Sequence, residues 1–190
     1  MRKAFTLYSF SSSKSLAFTA LFAALCCIGT IVIVLPLPFG YFNAGDVFVL
    51  LAAWCLGPLY GSVAAAVGSA LADIVSGYAI YAPATFFIKG LLAFTAYTVW
   101  FLFKKCVRRE RLDPLPRLLS AVAGETVMVC GYFAYEWILY GLAGATATIF
   151  GNLLQGVCGV LLATAIIAAI YPIKNIKQLF PALRVTNERK

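Results

Sequence analysis

Charge is excluded from almost the whole length of this sequence. Fourteen of its 15 Lys and Arg residues lie in three places: Arg2, Lys3 and Lys14, the run from Lys104 to Arg117, and the stretch from Lys174 to Lys190. Between these clusters lie apolar runs on the scale of a bilayer crossing, which takes about 20 residues as a helix. With 63% hydrophobic and 12% charged residues, the chain is far from a soluble domain, where roughly 25% of residues are charged. Backbone polar groups in lipid must be satisfied within the segment, so such runs fold as helices. The expected fold class is an all-α membrane protein, one transmembrane domain over residues 1–190.

Proline and glycine divide the apolar stretches into six. The first runs from Leu16 to Leu35 and stops at Pro36 and Pro38. The second, Asp46 to Leu56, and the third, Gly61 to Ser76, are short and flank a tight turn at Gly57–Pro58. The remaining three are Pro83 to Phe103, Pro116 to Tyr140, and Phe150 to Tyr171, the last ending at Pro172. The segments PLPFGYFNAGD, GYAIYAPAT and GLAGATATIFG read as loops. Six crossings place both termini on one side. The arm 1–15, the basic loop 104–116 and the basic tail 173–190 then all face the cytoplasm, as the positive-inside rule requires.

Several function classes drop out. The net charge of +8 could suit nucleic acid, but the basic residues flank apolar spans and fit topology better. The run after the N-terminal basic residues lacks a cleavage site and reads as a retained span. The six cysteines are scattered without a CxxC pair and behave as small hydrophobes. There is no histidine, which removes the commonest base and metal ligand. No metal site and no catalytic residues are expected.

Lys89 is the cation that breaks the pattern, and an ionisable group inside a span marks function by default. It lies about six residues inside the outer end of its helix, and Glu136 about four residues inside the next. Asp73 is similarly near Gly77, and Asn152 and Gln155 occupy the first turns of the last helix. At the helical rise these five side chains occupy one outer slab, roughly 3–9 Å deep. Glu125, Tyr132 and Glu136 are spaced 7 and 4 apart and share one face. Asn152, Gln155, Gly156 and Gly159 share another. An outward-facing polar pocket between helices three to six is expected, covered by Phe39–Phe42 and Tyr78–Tyr81. Structural roles stand beside this reading. Asp46 can cap its helix, Asp73 can serve a backbone group or Lys89, and Glu125 can be a network group near mid-membrane. Lys89 can form an ion pair, and Asn152 and Gln155 can bridge helices.

Helix one carries a stripe of small residues, Ser13, Ala17, Ala20, Ala24 and Cys27, at spacings of 4, 3, 4 and 3. Helix three has a similar face in Gly61, Ala64, Ala65, Gly68 and Ala72. Small faces allow close helix approach in lipid, inside the bundle or with a partner.

Five stretches resemble a known family: TALFAAL (Thr19–Leu25), GYFNAGDVFVLLAAWCLGPLYG (Gly40–Gly61), GSALADIVSGYAIYAPATFFIKG (Gly68–Gly90), GETVMVCGYFAYE (Gly124–Glu136) and GNLLQGVCG (Gly151–Gly159). In this order they resemble the membrane-embedded substrate-binding (S) components of energy-coupling-factor (ECF) vitamin transporters, over Leu16 to Tyr171. The resemblance implies a six-helix, non-enzymatic subunit of an ABC importer in a bacterial or archaeal cell membrane. It captures a vitamin or precursor from outside and works with a transmembrane T protein and two ATPase subunits. The family's AxxxA motif matches Ala20 and Ala24, which implies that the stripe with Ala17 docks the T protein. The chain has no GxxxxGK[ST] phosphate loop, so ATP is used by the partners and no cofactor is expected here.

Fold alone does not choose the vitamin. The motifs are most similar to members for pyridoxine- or hydroxymethylpyrimidine-type ligands. Hydroxylated heteroaromatics need stacking rings with donors and acceptors. Tyr132, Tyr81 and Phe86 are candidates for stacking; Lys89, Glu136, Asn152 and Gln155 for hydrogen bonding, with Asp73 beside them. Riboflavin, pantothenate and a queuosine precursor stay open, and thiamine, a permanent cation, fits a lysine-bearing pocket less well. The competing class is a self-sufficient transporter proton-coupled through Glu125, against which the lack of an inverted repeat argues. A membrane enzyme would need a catalytic constellation that is missing.

Overall fold

The computed structural model describes residues 12–36, 41–106 and 114–183. The described residues form four long helices, α1 (Ser12–Val32), α2 (Gly45–Val75), α3 (Ala82–Cys106) and α4 (Pro114–Ile170). A hairpin of β1 (Val34–Pro36) and β2 (Tyr41–Asn43) follows α1, and a short helix α5 (Lys174–Leu179) and a 3-10 turn at Pro181–Leu183 follow α4. All four long helices are long and apolar enough to cross a membrane. Large apolar side chains cover the outside; Ile138 is 82% exposed and Phe87 73%, a distribution suited to lipid and not to water.

Two helices are broken by one glycine each. Gly57 has φ 85° and ψ −176°, and Gly141 has φ 73° and ψ 177°, a backbone region open essentially to glycine. After Gly57 the helix restarts at once, because Pro58 suits a first helical position. The expected tight turn at Gly57–Pro58 therefore shrinks to a single residue. The expected loop GLAGATATIFG is also helical beyond Gly141. Thr146 donates its hydroxyl to the Leu142 and Ala143 carbonyls, each at 3.0 Å, and Thr148 bonds Ala145 at 3.1 Å. The polar residues that suggested a loop are satisfied along the helix itself.

The fold is not wholly helical. In the stretch expected as the loop PLPFGYFNAGD, β1 and β2 pair antiparallel with Val34 opposite Asn43. At the other rim α2 ends in a Schellman turn: the Tyr78 amide bonds the Asp73 carbonyl at 2.7 Å and the Gly77 amide bonds Ile74 at 3.2 Å. Gly77 takes the left-handed position with φ 84°, as this motif prefers. Asp73 is thereby fixed in the final turn.

The first half of α2 is the axis of the bundle. Of residues 45–57, only Phe48 is not fully buried. The small face Gly61 to Ala72 is internal: a Cβ on Gly68 would lie 2.2 Å from the Ala23 carbonyl oxygen of α1. Only glycine lets these helices meet so closely.

The basic clusters partly fold into one end of the bundle. Arg117 is buried, its guanidinium 4.6 Å from the Trp100 ring, 5.2 Å from Tyr171 and 5.5 Å from Trp54. Desolvated cation–π contacts of this kind contribute up to about 2 kcal/mol. Lys104 is buried as well. Arg117 and Lys104 are thus not water-facing loop charges, as their cluster suggested. Lys104 and Lys105 end α3, and residues 114–116 already belong to α4. The tail also departs from expectation. Phe180 meets Phe18 and Phe22 edge-on at 5.1 and 6.0 Å, Leu183 is fully buried, and Ala182 sits 3.7 Å from where a Cβ on Gly57 would be. Phe180→Ala should lower stability by about 3–5 kcal/mol, read as a fall in the thermal unfolding midpoint in detergent. An unchanged midpoint would show this segment to be peripheral.

Candidate functional site: a polar cavity above a buried ion pair

The site begins where the hairpin turns into α2. The Asn43 side-chain carbonyl accepts the Gly45 amide at 2.9 Å, a local turn that Asn favours. It launches α2 so that Asp46 falls in the first turn, where the helix dipole favours negative charge. Asp46 does not cap the helix; the N-cap position is Ala44, with no side-chain cap bond. Its carboxylate instead accepts the Lys89 ammonium from α3 and, at 2.6 Å, the Gln155 amide from α4. The Gln155 carbonyl in turn accepts Asn43 Nδ2 at 2.8 Å and the Asn43 backbone amide at 3.3 Å. One closed network thus joins β2, α2, α3 and α4. The Lys89 ammonium also lies 5.3 Å over the Tyr132 ring, and the Tyr132 hydroxyl bonds Thr85 at 2.9 Å.

Both ions are buried, and desolvating each costs several kcal/mol. The attraction between them compensates only because Gln155 and the Tyr132 face satisfy what remains. The pair is therefore a fixed floor.

Above this floor is a cavity of about 110 Å³, several times the space one water needs. Seven of the eight side chains anticipated for substrate line it: Lys89, Glu136, Asn152, Gln155, Tyr132, Asp73 and Tyr81. Phe86 does not. It is 40% exposed and packs edge-on against Phe87 at 5.4 Å. Thr85 and Lys89 share the inward face, and Phe86 falls one helical step away from it. The aromatic rim comes from Tyr81, whose ring lies 5.6 Å from Tyr135 and 6.5 Å from Tyr140. Tyr135 also donates its hydroxyl to the Ile80 carbonyl. The side chains of Phe39–Phe42, expected to cover the pocket, lie outside the described residues.

Glu136 accepts the Thr148 hydroxyl across the break at Gly141. Ser69 Oγ is buried without a hydrogen-bond partner, and Asp73 Oδ2 and Asn152 Nδ2 make no hydrogen bond of good geometry, although Thr85 lies beside Asp73 and Glu136 beside Asn152. Such atoms carry a desolvation cost of about 1–3 kcal/mol each, which a polar ligand can relieve. Glu125 is placed differently. It lies beneath the network against Gly156 and Gly159; a Cβ on Gly159 would come 3.0 Å from its Oε1 and 3.2 Å from Asp46 Cβ. It does not line the cavity.

Sequence reasoning missed Thr30, Asn43, Ser69, Thr85 and Thr148 in the lining, and Asp46 in the floor. Ser69 is four residues before Asp73 and Thr85 four before Lys89, so helical phase could have found both. Nothing in the sequence pairs Asn43 with Gln155, which depends on the hairpin. On α1, Ala17, Ala20 and Ala24 are exposed, while Phe22 and Cys26 on the opposite face are buried.

Fold and site together define a membrane-embedded protein that binds a small molecule. The model of the family described as ECF-type riboflavin transporter, S component, matches residues 10–172, and the chain belongs to this family. Its members are substrate-binding subunits of transporters and not enzymes. The ligand in that description is riboflavin, so the pyridoxine or hydroxymethylpyrimidine assignment is not carried by the match. A protein of Pyrococcus woesei described only as an uncharacterized protein in a gap 3′ region is 36% identical over 137 residues, 71% of this chain and 86% of that one. A solved structure, reported as the structure and mechanism of the S component of a bacterial ECF transporter, matches with a TM-score of 0.64 at 19% identity. It covers 85% of this chain and 98% of its own, and shows the same fold.

Asp46→Asn should destabilise the protein by about 3–5 kcal/mol, because Lys89 is left buried without its counter-ion. The double change Asp46→Asn with Lys89→Met should recover most of the loss in thermal unfolding. A double variant no more stable than Asp46→Asn alone would deny the pair its structural role.

Proposed function

We propose that this chain is the substrate-binding subunit of an ECF-type ABC importer in a bacterial or archaeal plasma membrane, capturing a hydroxylated heteroaromatic vitamin or precursor from outside. The observation that carries the reading is a cavity whose lining holds poorly satisfied polar atoms of Ser69, Asp73 and Asn152 above the buried ion pair. Asn152, Glu136 and Asp73 present polar groups from the walls, and Lys89 and Gln155 line the cavity from the floor; Tyr132 and Tyr81 present rings for stacking. The cavity of about 110 Å³ suits a single ring of the pyridoxine or hydroxymethylpyrimidine type. Riboflavin is the second reading, favoured by the family description.

In this reading the breaks at Gly57 and Gly141 turn α2 and α4 into two crossings each, six in all. The two ends of the chain then lie on the cytoplasmic side with the basic clusters. The exposed alanines Ala17, Ala20 and Ala24 form a flat strip on which a helix of the T protein docks. Two ATPase subunits supply the energy, and this chain holds no cofactor.

Mass spectrometry of small molecules released from the purified protein should find a heteroaromatic vitamin. Calorimetry should give binding of riboflavin or pyridoxine that weakens at least tenfold in Asn152→Ala, about 1.4 kcal/mol. A folded protein that releases no vitamin and binds neither compound would overturn the proposal. Ala20→Trp should abolish co-purification with the T protein while leaving ligand affinity unchanged; an intact complex from that variant would remove the docking role.

A further inference from the structure

Beneath the cavity, the described residues set one cation, Lys89, among two carboxyl groups, Asp46 and Glu125, and all three are buried. Asp46 is saturated: one oxygen accepts the Lys89 ammonium and the other the Gln155 amide. Glu125 has no such donors. It is 4% exposed, and neither of its carboxyl oxygens has a hydrogen-bond partner.

The Glu125 side chain lies in a slot between the two halves of α4. A Cβ on Gly156 would come 3.3 Å from Glu125 Cβ and 3.6 Å from Oε2, and a Cβ on Gly159 would come 3.0 Å from Oε1. The same Gly159 position is 3.2 Å from Asp46 Cβ, so a single glycine separates the two acids. The charged groups that act on Glu125 are Asp46 from α2 and Lys89 from α3. Cys26 from α1, Asp73 and Tyr132 face the Asp46–Lys89 pair instead.

Burying an ionised carboxylate without a partner costs far more than burying a neutral polar group, and like charges at one site oppose each other's ionisation. Lys89 neutralises one carboxylate, and Asp46 holds both donors. The second negative charge would therefore fall on Glu125, where nothing but a bound proton cancels it.

We propose that Glu125 is a proton-binding site: it carries a proton at neutral pH beneath the cavity, and loss of that proton to water loosens the network that fixes β2, α2, α3 and α4. The inference is independent of the ligand and goes beyond the vitamin-binding reading. Ionisation breaks the Glu125 O–H bond and leaves two carboxylates for one ammonium. An ordinary glutamate ionises near about pH 4.3, so at neutral pH the unfolded chain lacks a proton that the folded chain holds. The stability linked to Glu125 is thus greatest in acid and falls as the pH rises.

The test compares the full wild-type chain with Glu125→Gln in detergent. At neutral pH the infrared spectrum of the wild type should contain a protonated-carboxyl C=O band that shifts in heavy water and is missing from Glu125→Gln. Across one pH unit around neutrality, the wild-type unfolding constant should rise about tenfold more than that of the variant, the dependence expected for one proton. The amide matches a neutral acid in shape and charge, so the variant should fold. Absence of the band, parallel pH profiles, or a Glu125→Gln chain that does not fold would each overturn the inference, the last by showing that a charged carboxylate is required.

Discussion

The carboxylate of Asp46 and the ammonium of Lys89 meet beneath the cavity, and this end of the fold is arranged around that contact. A buried pair persists only where other groups satisfy the remaining lone pairs and protons. Here Gln155 bonds the second carboxylate oxygen, and Asn43 holds Gln155 in turn. Each of the four residues comes from a different element. Moving any one element breaks a bond that is expensive to lose, so the position of hairpin, α2, α3 and α4 is fixed by one polar network. Apolar packing in lipid has little directional preference; the network supplies the register that Leu and Ala cannot.

Much of this was legible because charge is so scarce in the chain. In a sequence where almost every cation is outside the apolar runs, Lys89 stood out without any structure, and helical rise placed Glu136, Asp73, Asn152 and Gln155 at the same depth. Those five do line one cavity. What was hidden is pairing. Asp46 looked like a cap because it opens a helix, yet its partner lies 43 positions away on α3. Phe86 was misplaced by one step of helical phase, which a residue chosen for its chemistry alone does not reveal.

The fold was legible in its helical class and less so in its joints. Gly57 and Gly141 each interrupt a helix with a single residue, where the sequence had suggested a tight turn and the Gly- and Thr-rich loop GLAGATATIFG. Threonine satisfies its hydroxyl on the preceding turn and so passes for a loop former while staying helical. Arg117 was invisible for the opposite reason. A basic residue beside a basic loop reads as solvated, whereas in three dimensions Trp54, Trp100 and Tyr171 meet around its guanidinium.

The break at Gly141 divides the two walls of the cavity that α4 supplies. Tyr132 and Glu136 precede it; Asn152 and Gln155 follow it. One residue's pair of backbone dihedrals therefore sets the gap between those walls. Glu136 and Asn152 stand outside the Asp46 network and can be exchanged on either wall while Lys89, Gln155 and Asn43 hold the scaffold still, so a lineage built on this architecture can change its ligand without redesigning its frame.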